Sequence, residues 1–259
     1  MTTTPFFQVD AFAERPLGGN PAAVMPLTEW LDDTVMQAIA AENNLSETAF
    51  TVPSDRDDAD FDLHWFTPTV EVELCGHGTL AAAQILLTGK MVRFSTQSGV
   101  LSVTREGELL QLELPAAPVE PSSDPALLEA LGATGELFVG TAGNGNAIVL
   151  LSDETAVRGV KPDFAALAVI PKLVSVTAPG DDHAVASRVF AAHYGIPEDP
   201  VTGAAHAALV PFWSKRLGRE KFSAIQASRR VGLLECRHAG DRVILGGRCF
   251  TVIEGCFQL

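Results

Sequence analysis

The sequence has few of the features that mark several classes of protein. It contains 18 Lys and Arg against 32 Asp and Glu, which gives a net charge of −14. So acidic a chain repels phosphate backbones and anionic membrane surfaces, and we expect neither nucleic acid nor membrane as a partner. Its four cysteines show no C-x-x-C spacing and no matching histidine cluster, so we predict no metal site. They are Cys75, Cys236, Cys249 and Cys256.

Targeting and membrane-spanning segments are also missing. The first five residues carry no basic region and no apolar run. No stretch approaches about eighteen uninterrupted apolar residues, and the nearest, Leu80 to Leu87, is broken by Gln84. A chain of 259 residues with 47% hydrophobic residues can bury a core without disulfides. We therefore predict a reduced, cytoplasmic, globular protein.

An internal repeat is the first positive feature. Residues 18–24 resemble residues 142–148, residues 74–82 resemble 199–207, and residues 96–101 resemble 225–234. Asn144 follows Asn20 by 124 residues, and Gly203 follows Gly78 by 125. Three matches in the same order at a nearly constant offset indicate two structurally related halves.

A proline-rich run separates the two halves. Residues 115–125 contain four prolines, which remove backbone donors and favour an extended linker. We predict an N-terminal domain of residues 1–115, a linker of residues 116–125 and a C-terminal domain of residues 126–259. The last strand could also return to the first domain.

Each half mixes strands with a nearly all-apolar segment typical of a buried helix. These segments are residues 78–87 and 203–213, and hairpins are predicted near residues 100–114 and 232–245. The pattern predicts an α+β fold with two similar domains related by pseudo-two-fold symmetry. A doubly wound parallel sheet is not predicted.

The two predicted buried helices begin near glycines. Gly76 and Gly78 flank the first start and Gly203 marks the second. The first N–H groups of a helix lack internal partners and lie at the positive end of its dipole, so they can bind a carboxylate without Lys or Arg. Taken singly, each motif is more typical of a tight turn. Pseudo-symmetry would bring both starts to the crevice between the domains, where small ligands often bind.

Groups that can move protons lie beside these starts. They are His77 and Cys75 at the first, Asp199 at the second, and Glu47 in an extended segment with apolar neighbours. The glycine-containing loop at residues 140–145 lacks the context of a dinucleotide site. His206 is predicted to be packed in its helix, and Cys236, Cys249 and Cys256 to be small core residues.

Several motifs together resemble the phenazine-biosynthesis PhzF-like family, a branch of the diaminopimelate epimerase fold. They are residues 8–12, 19–21, 44–50, 73–81, 198–203 and 226–228, in family order. The resemblance implies two domains, each a curved, mostly antiparallel sheet around a central helix, with the site between them. It also implies a homodimer and no cofactor.

The resemblance assigns roles to particular residues. The proton-transfer glutamate falls on Glu47, the site histidine on His77 and the site aspartate on Asp199. The substrate-binding positions fall on Asn20, Gly76, Gly78, Gly203 and Ala204. The phenazine enzyme has a serine at the position of Ala204. The absence of this hydroxyl puts in doubt that the present chain acts on the phenazine-pathway substrate. The epimerase branch uses a second cysteine where this chain has Pro200, so a two-thiol epimerase is not favoured.

We therefore predict a cofactor-independent isomerase acting on a small anionic, carboxylate-bearing substrate. Glu47 would move a proton between two carbons, backbone N–H groups would hold the carboxylate, and His77 and Asp199 would orient the substrate. Three alternatives stay open. They are a non-catalytic binding module on the same fold, an epimerase or racemase of an amino-acid-like substrate, and a thiol-dependent hydrolase using Cys75 and His77.

Overall fold

A computed structural model describes residues 3–141 and 145–259. The chain divides into two compact units. The first comprises the residues up to Glu113 together with Gly246–Leu259, and the second comprises Leu114–Leu245. No helix in the described ranges is long and apolar enough to cross a membrane.

The first unit is a mixed sheet with a helix at each parallel crossover. Its elements in chain order are β1 (Thr3–Ala11), β2 (Asn20–Pro26), α1 (Asp33–Asn43), β3 (Glu47–Pro53), β4 (Phe61–Phe66), β5 (Glu71–Val72), α2 (Gly76–Leu86), β6 (Met91–Thr96), β7 (Gly99–Glu106) and β8 (Leu109–Pro115). The pairs β1–β2, β3–β4, β6–β7 and β7–β8 are antiparallel, whereas β2–β3 and β4–β6 are parallel. A parallel pair needs a crossover connection, and α1 and α2 supply the two crossovers.

The second unit repeats this order. Its elements are β9 (Val119–Ser122), α3 (Pro125–Leu131), β10 (Glu136–Gly140), β11 (Asn146–Leu150), α4 (Glu154–Gly159), α5 (Phe164–Ala168), β12 (Leu173–Pro179), β13 (Val185–Ala191), a 3-10 helix (Ala192–Tyr194), β14 (Ile196–Asp199), α6 (Gly203–Leu217), β15 (Lys221–Gln226), β16 (Gly232–Ala239) and β17 (Arg242–Gly247). The pairs β10–β11, β12–β13 and β15–β16 are antiparallel, and β11–β12 and β13–β15 are parallel. This shared topology agrees with the internal repeat. Residues 142–144, part of one matched segment, lie outside the described residues.

The final strand, β18 (Cys249–Gln258), belongs to the first unit. It pairs antiparallel with β1 from Thr3 opposite Gln258 to Ala11 opposite Cys249. The fold is therefore α+β and mostly antiparallel, as predicted. The predicted boundaries allowed the last strand to return to the first domain, and in the structure it does so.

The central helix of the first unit, α2, is buried along its first eight residues, Gly76 to Ala83. It packs against β1, β2 and β3. Alanine and leucine favour a helix, and small side chains let it lie close to the strands. The predicted all-apolar helix is confirmed, although it begins two residues earlier than expected.

The central helix of the second unit, α6, runs through Pro211 and ends at Leu217, beyond the predicted end at residue 213. A proline lacks the N–H that would bond the carbonyl four residues earlier. That carbonyl, of Ala207, instead accepts the backbone N–H of Ala117 at 2.9 Å. The helix continues through the proline because a donor from another segment satisfies the released acceptor.

The predicted linker of residues 116–125 is not a linker in the structure. Residues 119–122 form β9, in which Pro121 lies opposite Phe138 of β10, and Pro125 starts α3. Proline's fixed φ is compatible with an extended strand that needs no N–H at that position. The run thus lies inside the second unit, which begins at Leu114 and not at residue 126.

Candidate active site

Glu47 is the first residue of β3. The chain leaves α1 through Asn44, whose positive φ of 47° ends the helix, and enters β3 directly after Ser46. In the parallel register Glu47 lies beside Ala22 of β2. Its side chain is buried, with 9% of the residue exposed. A carboxylate is rarely buried without a charged or hydrogen-bonding partner, so its surroundings identify its role.

His77, the second residue of α2, provides that partner. Its Nε2 lies 3.0 Å from Oε2 of Glu47. The ring is almost fully buried, with 3% of the residue exposed. The two atoms face each other but are not aligned as a hydrogen bond, and neither has another hydrogen-bond partner in the described residues. Each buried polar atom in this condition needs an explanation, and a role in catalysis is one that suits a facing acid and base.

The other ring nitrogen of His77 has two neighbours. Nδ2 of Asn20 lies 3.2 Å from Nδ1, and Sγ of Cys75 lies 3.5 Å from it. Ser46 Oγ donates to Oδ1 of Asn20 at 3.3 Å. Asn20, predicted to bind substrate, is fully buried at the start of β2 and contacts the imidazole.

Cys75 is the N-cap of α2. Its Sγ accepts the backbone N–H of Gly78 at 3.3 Å, which satisfies one of the donors at the helix start. Burial, reinforced by the Glu47 carboxylate, raises the pKa of the Cys75 thiol to about 11. A thiol protonated at neutral pH is a poor nucleophile. The arrangement therefore argues against the thiol-dependent hydrolase.

The protonation of His77 reflects opposing influences. Burial of the ring disfavours its charge, but the Cys75 sulfur and the Glu47 carboxylate outweigh burial. Together they hold the pKa of His77 well above its ordinary value. The ring is therefore protonated near neutral pH, and Nε2, the nitrogen nearer Glu47, carries a proton.

Glu47, Cys75 and His77 form a group of possible metal ligands whose ligand atoms lie within 4.8 Å of one another. However, the sulfur lies near Nδ1 and the carboxylate near Nε2. A zinc ion binds along the lone pair of one imidazole nitrogen at about 2.0–2.1 Å. The two flanking groups thus lie on opposite nitrogens of the ring, an arrangement that fits proton transfer better than a metal centre.

The second unit holds Asp199, the last residue of β14, in a separate buried network. Thr202 Oγ1 donates to Oδ2 of Asp199 at 2.5 Å. Nε2 of Gln226 donates to the Asp199 carbonyl at 2.7 Å, and its Oε1 accepts the Thr202 N–H at 2.9 Å. Gly203 and Ala204 are the first two residues of α6. A buried network of this kind fixes the backbone at the helix start.

His206 lies one turn into α6 and is buried, as predicted. Its Nδ1 lies 2.9 Å from the carbonyl oxygen of Thr202. Burial lowers the pKa of His206 to about 4, against the smaller opposing effect of this contact. The ring is neutral at physiological pH, so Nδ1 carries the proton and donates to Thr202.

The structure thus groups the sequence-predicted residues within each unit. Asn20, Glu47, Gly76, His77 and Gly78 belong to the first unit, and Asp199, Gly203 and Ala204 to the second. Ser46 and Gln226 lie in motifs of the family but were not predicted as site residues. The signal for Gln226 was the alternation of its strand, which puts it on the same buried face as Phe222 and Ala224.

The cysteine prediction was partly wrong. Cys236 is buried, whereas Cys249 is half-buried and Cys256 is exposed on β18. Residues 253–256 of β18 are exposed without interruption, and Cys256 is the last of them. Strand-like apolar sequence therefore did not predict which residues of this strand are exposed.

Comparisons with known proteins identify the family to which the chain belongs. The profile of phenazine biosynthesis-like proteins, PhzC-PhzF, matches residues 9–255. A Pseudomonas aeruginosa protein named "Uncharacterized isomerase" is 47% identical over 260 residues, covering 98% of each chain. The crystal structure of a PhzF-family phenazine biosynthesis protein from Enterococcus faecalis has a TM-score of 0.92 and 42% identity, covering 100% of both chains.

A more distant likeness concerns the fold alone. A hydroxyproline epimerase from Agrobacterium vitis aligns with a TM-score of 0.63 and 11% identity, covering 98% of this chain and 92% of its own. The α+β architecture is thus shared with epimerases whose sequences have diverged widely.

Proposed function

Because the chain belongs to the phenazine biosynthesis-like PhzC-PhzF family, we propose that it is a cofactor-independent isomerase in which Glu47 transfers a proton between two carbons of a small carboxylate-bearing substrate. An isomerase-type activity is also what the names of its relatives support. The observation that carries the proposal is the buried Glu47 carboxylate, whose Oε2 faces Nε2 of His77 at 3.0 Å.

The proton transfer balances within the substrate and one side chain. Glu47 takes a proton from an acidic C–H bond, and the bonding electron pair moves into the adjacent carboxylate or conjugated system as an enolate. The protonated Glu47 then returns the proton to another carbon, and the electron pair forms the new C–H bond. No electron is gained or lost, so the reaction requires no redox partner.

The start of α2 suits the charge that develops in this step. The first N–H groups of a helix have no partner inside it, and those of Gly76 and His77 are the first of α2. Gly78 N–H is already bound by Cys75. Backbone donors and the positive helix end together stabilise an enolate or a carboxylate. Roles for Asp199, Gly203 and Ala204 on the same substrate stay predictions, as does the homodimer.

Exchange of substrate protons with heavy water tests the proposal directly. The probes are α-amino acids and β,γ-unsaturated carboxylic acids, incubated with the protein in deuterium oxide and followed by NMR. We expect deuterium at carbon for at least one class with wild type, and a loss of roughly 10²–10⁴-fold in Glu47→Gln, which keeps the shape but removes the base.

Glu154→Gln is the matched control. Glu154 is buried to a similar extent but is bound by Arg158 and the N–H of Asp181, so its loss should leave exchange at the wild-type rate. Exchange at the wild-type rate in Glu47→Gln would overturn the proposal. Binding of a probe without exchange would favour the binding module, and inversion at a single carbon would favour the epimerase.

A further inference from the structure

The indole nitrogen of Trp65 is a buried hydrogen-bond donor without an acceptor. Trp65 lies on β4, and 1% of the residue is exposed. Its Nε1 is buried and has no hydrogen-bond partner among the residues that the structure describes. An indole N–H can only donate, and buried polar groups in native proteins are nearly always paired. This donor therefore needs an explanation in terms of what it could bind.

The indole shares one face of the sheet with Glu47. Trp65 lies directly opposite Ala49 in the antiparallel register of β3 and β4. Glu47 precedes Ala49 by two residues on β3, so the three side chains point to the same face. Diagonal neighbours of this kind lie within reach of an aromatic side chain. The register thus places the indole beside the proposed base.

The edge of the ring that carries Nε1 lies against the first turn of α2. A Cβ at Gly78 would lie 2.8 Å from Cδ1 and 3.2 Å from Nε1 of Trp65. The indole therefore approaches the helix this closely because position 78 is a glycine. Gly78 follows His77, whose Nε2 lies 3.0 Å from Oε2 of Glu47. The donor is thus at the helix start that carries the proposed acid–base pair.

The nearest acceptor atom of the chain is already engaged. The sulfur of Cys75 accepts the N–H of Gly78 and contacts Nδ1 of His77. The first N–H groups of α2, those of Gly76 and His77, also lack partners inside the helix. Several donors therefore lie at one helix end, and an anionic oxygen is the ligand atom that suits them all.

We propose that Trp65 is a further substrate-binding residue, whose Nε1–H donates to the carboxylate oxygen that becomes the enolate oxygen when Glu47 removes the proton. Trp65 keeps its proton throughout, so the balance of the proton transfer is unchanged. A hydrogen bond to an anionic oxygen is charge-assisted, and burial holds this donor in place before the charge develops. The catalytic consequence rests on the proposed function, whereas the binding of a carboxylate does not.

The chain has three tryptophans, and their indole nitrogens differ in hydrogen bonding. Trp213 is also buried, but its Nε1 donates to Oγ1 of Thr177 at 3.0 Å, and Trp30 is 37% exposed. In the ¹⁵N-labelled full chain each tryptophan gives one indole N–H signal. Trp30→Phe and Trp213→Phe assign two of the three signals. The third signal is then that of Trp65, even if Trp65→Phe does not fold.

The probe is crotonate, a small conjugated carboxylate, with crotonamide as the uncharged control of the same shape. We expect crotonate to move the Trp65 indole proton downfield in a saturable manner, because a hydrogen bond to an anionic oxygen deshields the donor proton. The Trp30 and Trp213 signals should not move, and crotonamide should cause a smaller shift at Trp65. No shift of the Trp65 signal with crotonate, or an equal shift with crotonamide, would overturn the inference.

Deuterium exchange gives a second measurement. Trp65→Phe keeps an aromatic ring but removes the N–H, and exchange should fall roughly 10²–10³-fold, the effect of losing one oxyanion donor. The fall should appear in kcat more than in KM, since the charge on the oxygen grows in the transition state. Trp213→Phe is the matched buried control and should keep the wild-type rate. Wild-type exchange in a folded Trp65→Phe would contradict the inference.

The two proposals can fail separately. Full exchange in Glu47→Gln would reject Glu47 as the base, but the response of the Trp65 signal to crotonate would still report whether the indole binds a carboxylate. Conversely, lost exchange in Glu47→Gln together with an unresponsive Trp65 signal would support the base and reject the additional donor.

Discussion

Each unit buries one histidine in the first two turns of its central helix, and the two rings have opposite protonation preferences. His77 is flanked by a carboxylate and a sulfur, and its pKa is raised. His206 has burial as its dominant influence and a backbone carbonyl as its partner, and its pKa is lowered to about 4. A shared topology has therefore produced two different imidazoles, because the side chains around them differ.

A parallel strand pair earlier in each unit shows the same divergence. In the first unit Glu47 starts β3 opposite Ala22 of β2, and in the second Leu173 starts β12 opposite Asn146 of β11. The register position that holds the proposed base in one unit thus holds an apolar side chain in the other. The repeat preserves the backbone, while the acid–base chemistry depends on single positions.

The largest expected effect is a difference in how the two histidines link stability to pH. A lowered folded-state pKa means that the unfolded chain binds the proton more readily, so His206 costs stability as pH falls from 6.5 toward about 4. The loss is on the order of 3 kcal/mol. In denaturant unfolding across this range, the free energy of unfolding should fall less with decreasing pH for His206→Gln than for wild type. The exposed His193 is the control, and His193→Gln should keep the wild-type loss.

His77 should show the reverse dependence. Its raised pKa contributes stability that is fully present below pH 6.5 and is lost as pH rises through the folded-state pKa. The same unfolding series, extended to alkaline pH, should show this decline in wild type but not in His77→Gln. If His77→Gln and His206→Gln both altered the free energy of unfolding only at acidic pH, the proposed contrast between the two rings would be wrong.

A smaller effect comes from the glycine at the first helix start. A Cβ at Gly78 would lie 2.8 Å from Cδ1 of Trp65 and 3.0 Å from Sγ of Cys75, both of which are buried. Gly78→Ala should therefore reduce the free energy of unfolding by roughly 1–3 kcal/mol, despite the better helix propensity of alanine.

Gly159 in α4 of the second unit provides the comparison. A Cβ there would meet no atom within 4 Å, so Gly159→Ala should be neutral or stabilise by up to about 1 kcal/mol. Equal stability of both variants in chemical denaturation would show that α2 has more room at its start than the distances indicate.

The smallest effect concerns the proline that only the second central helix contains. Pro211→Ala restores an N–H that must share the Ala207 carbonyl with Ala117. We expect a change in stability within about 1 kcal/mol, and faster hydrogen exchange at the Ala117 amide. A stabilisation near 3 kcal/mol with unchanged exchange would mean that the contact from Ala117 contributes nothing.

Local patterns in the sequence were enough to predict many of the strands and helices of the fold. The strand Phe61–Phe66 and both central helices follow from alternation and from continuous apolar runs. The strand β9 was missed because its prolines suggest a linker, and only pairing with β10 shows otherwise. Long-range pairing of this kind is not encoded in any short window.

The site was predictable to a lesser degree. Glu47 and His77 are 30 residues apart, and only the family resemblance connected them before the structure did. The contact of Asn20 with the imidazole depends on how β2 and α2 pack, which periodicity does not specify. Residue types that could do the chemistry were visible in the sequence, but their partners were not.

The pairing of β18 with β1 has a consequence for how the chain is made. The second unit is one continuous segment, Leu114–Leu245, whereas the first combines the residues up to Glu113 with Gly246–Leu259. During synthesis the second unit can fold as soon as it emerges, while β1 must wait for β18 to be added. The unit that carries Glu47 and His77 is therefore completed after the other, and deletion of residues 249–258 would leave β1 without a partner on that edge.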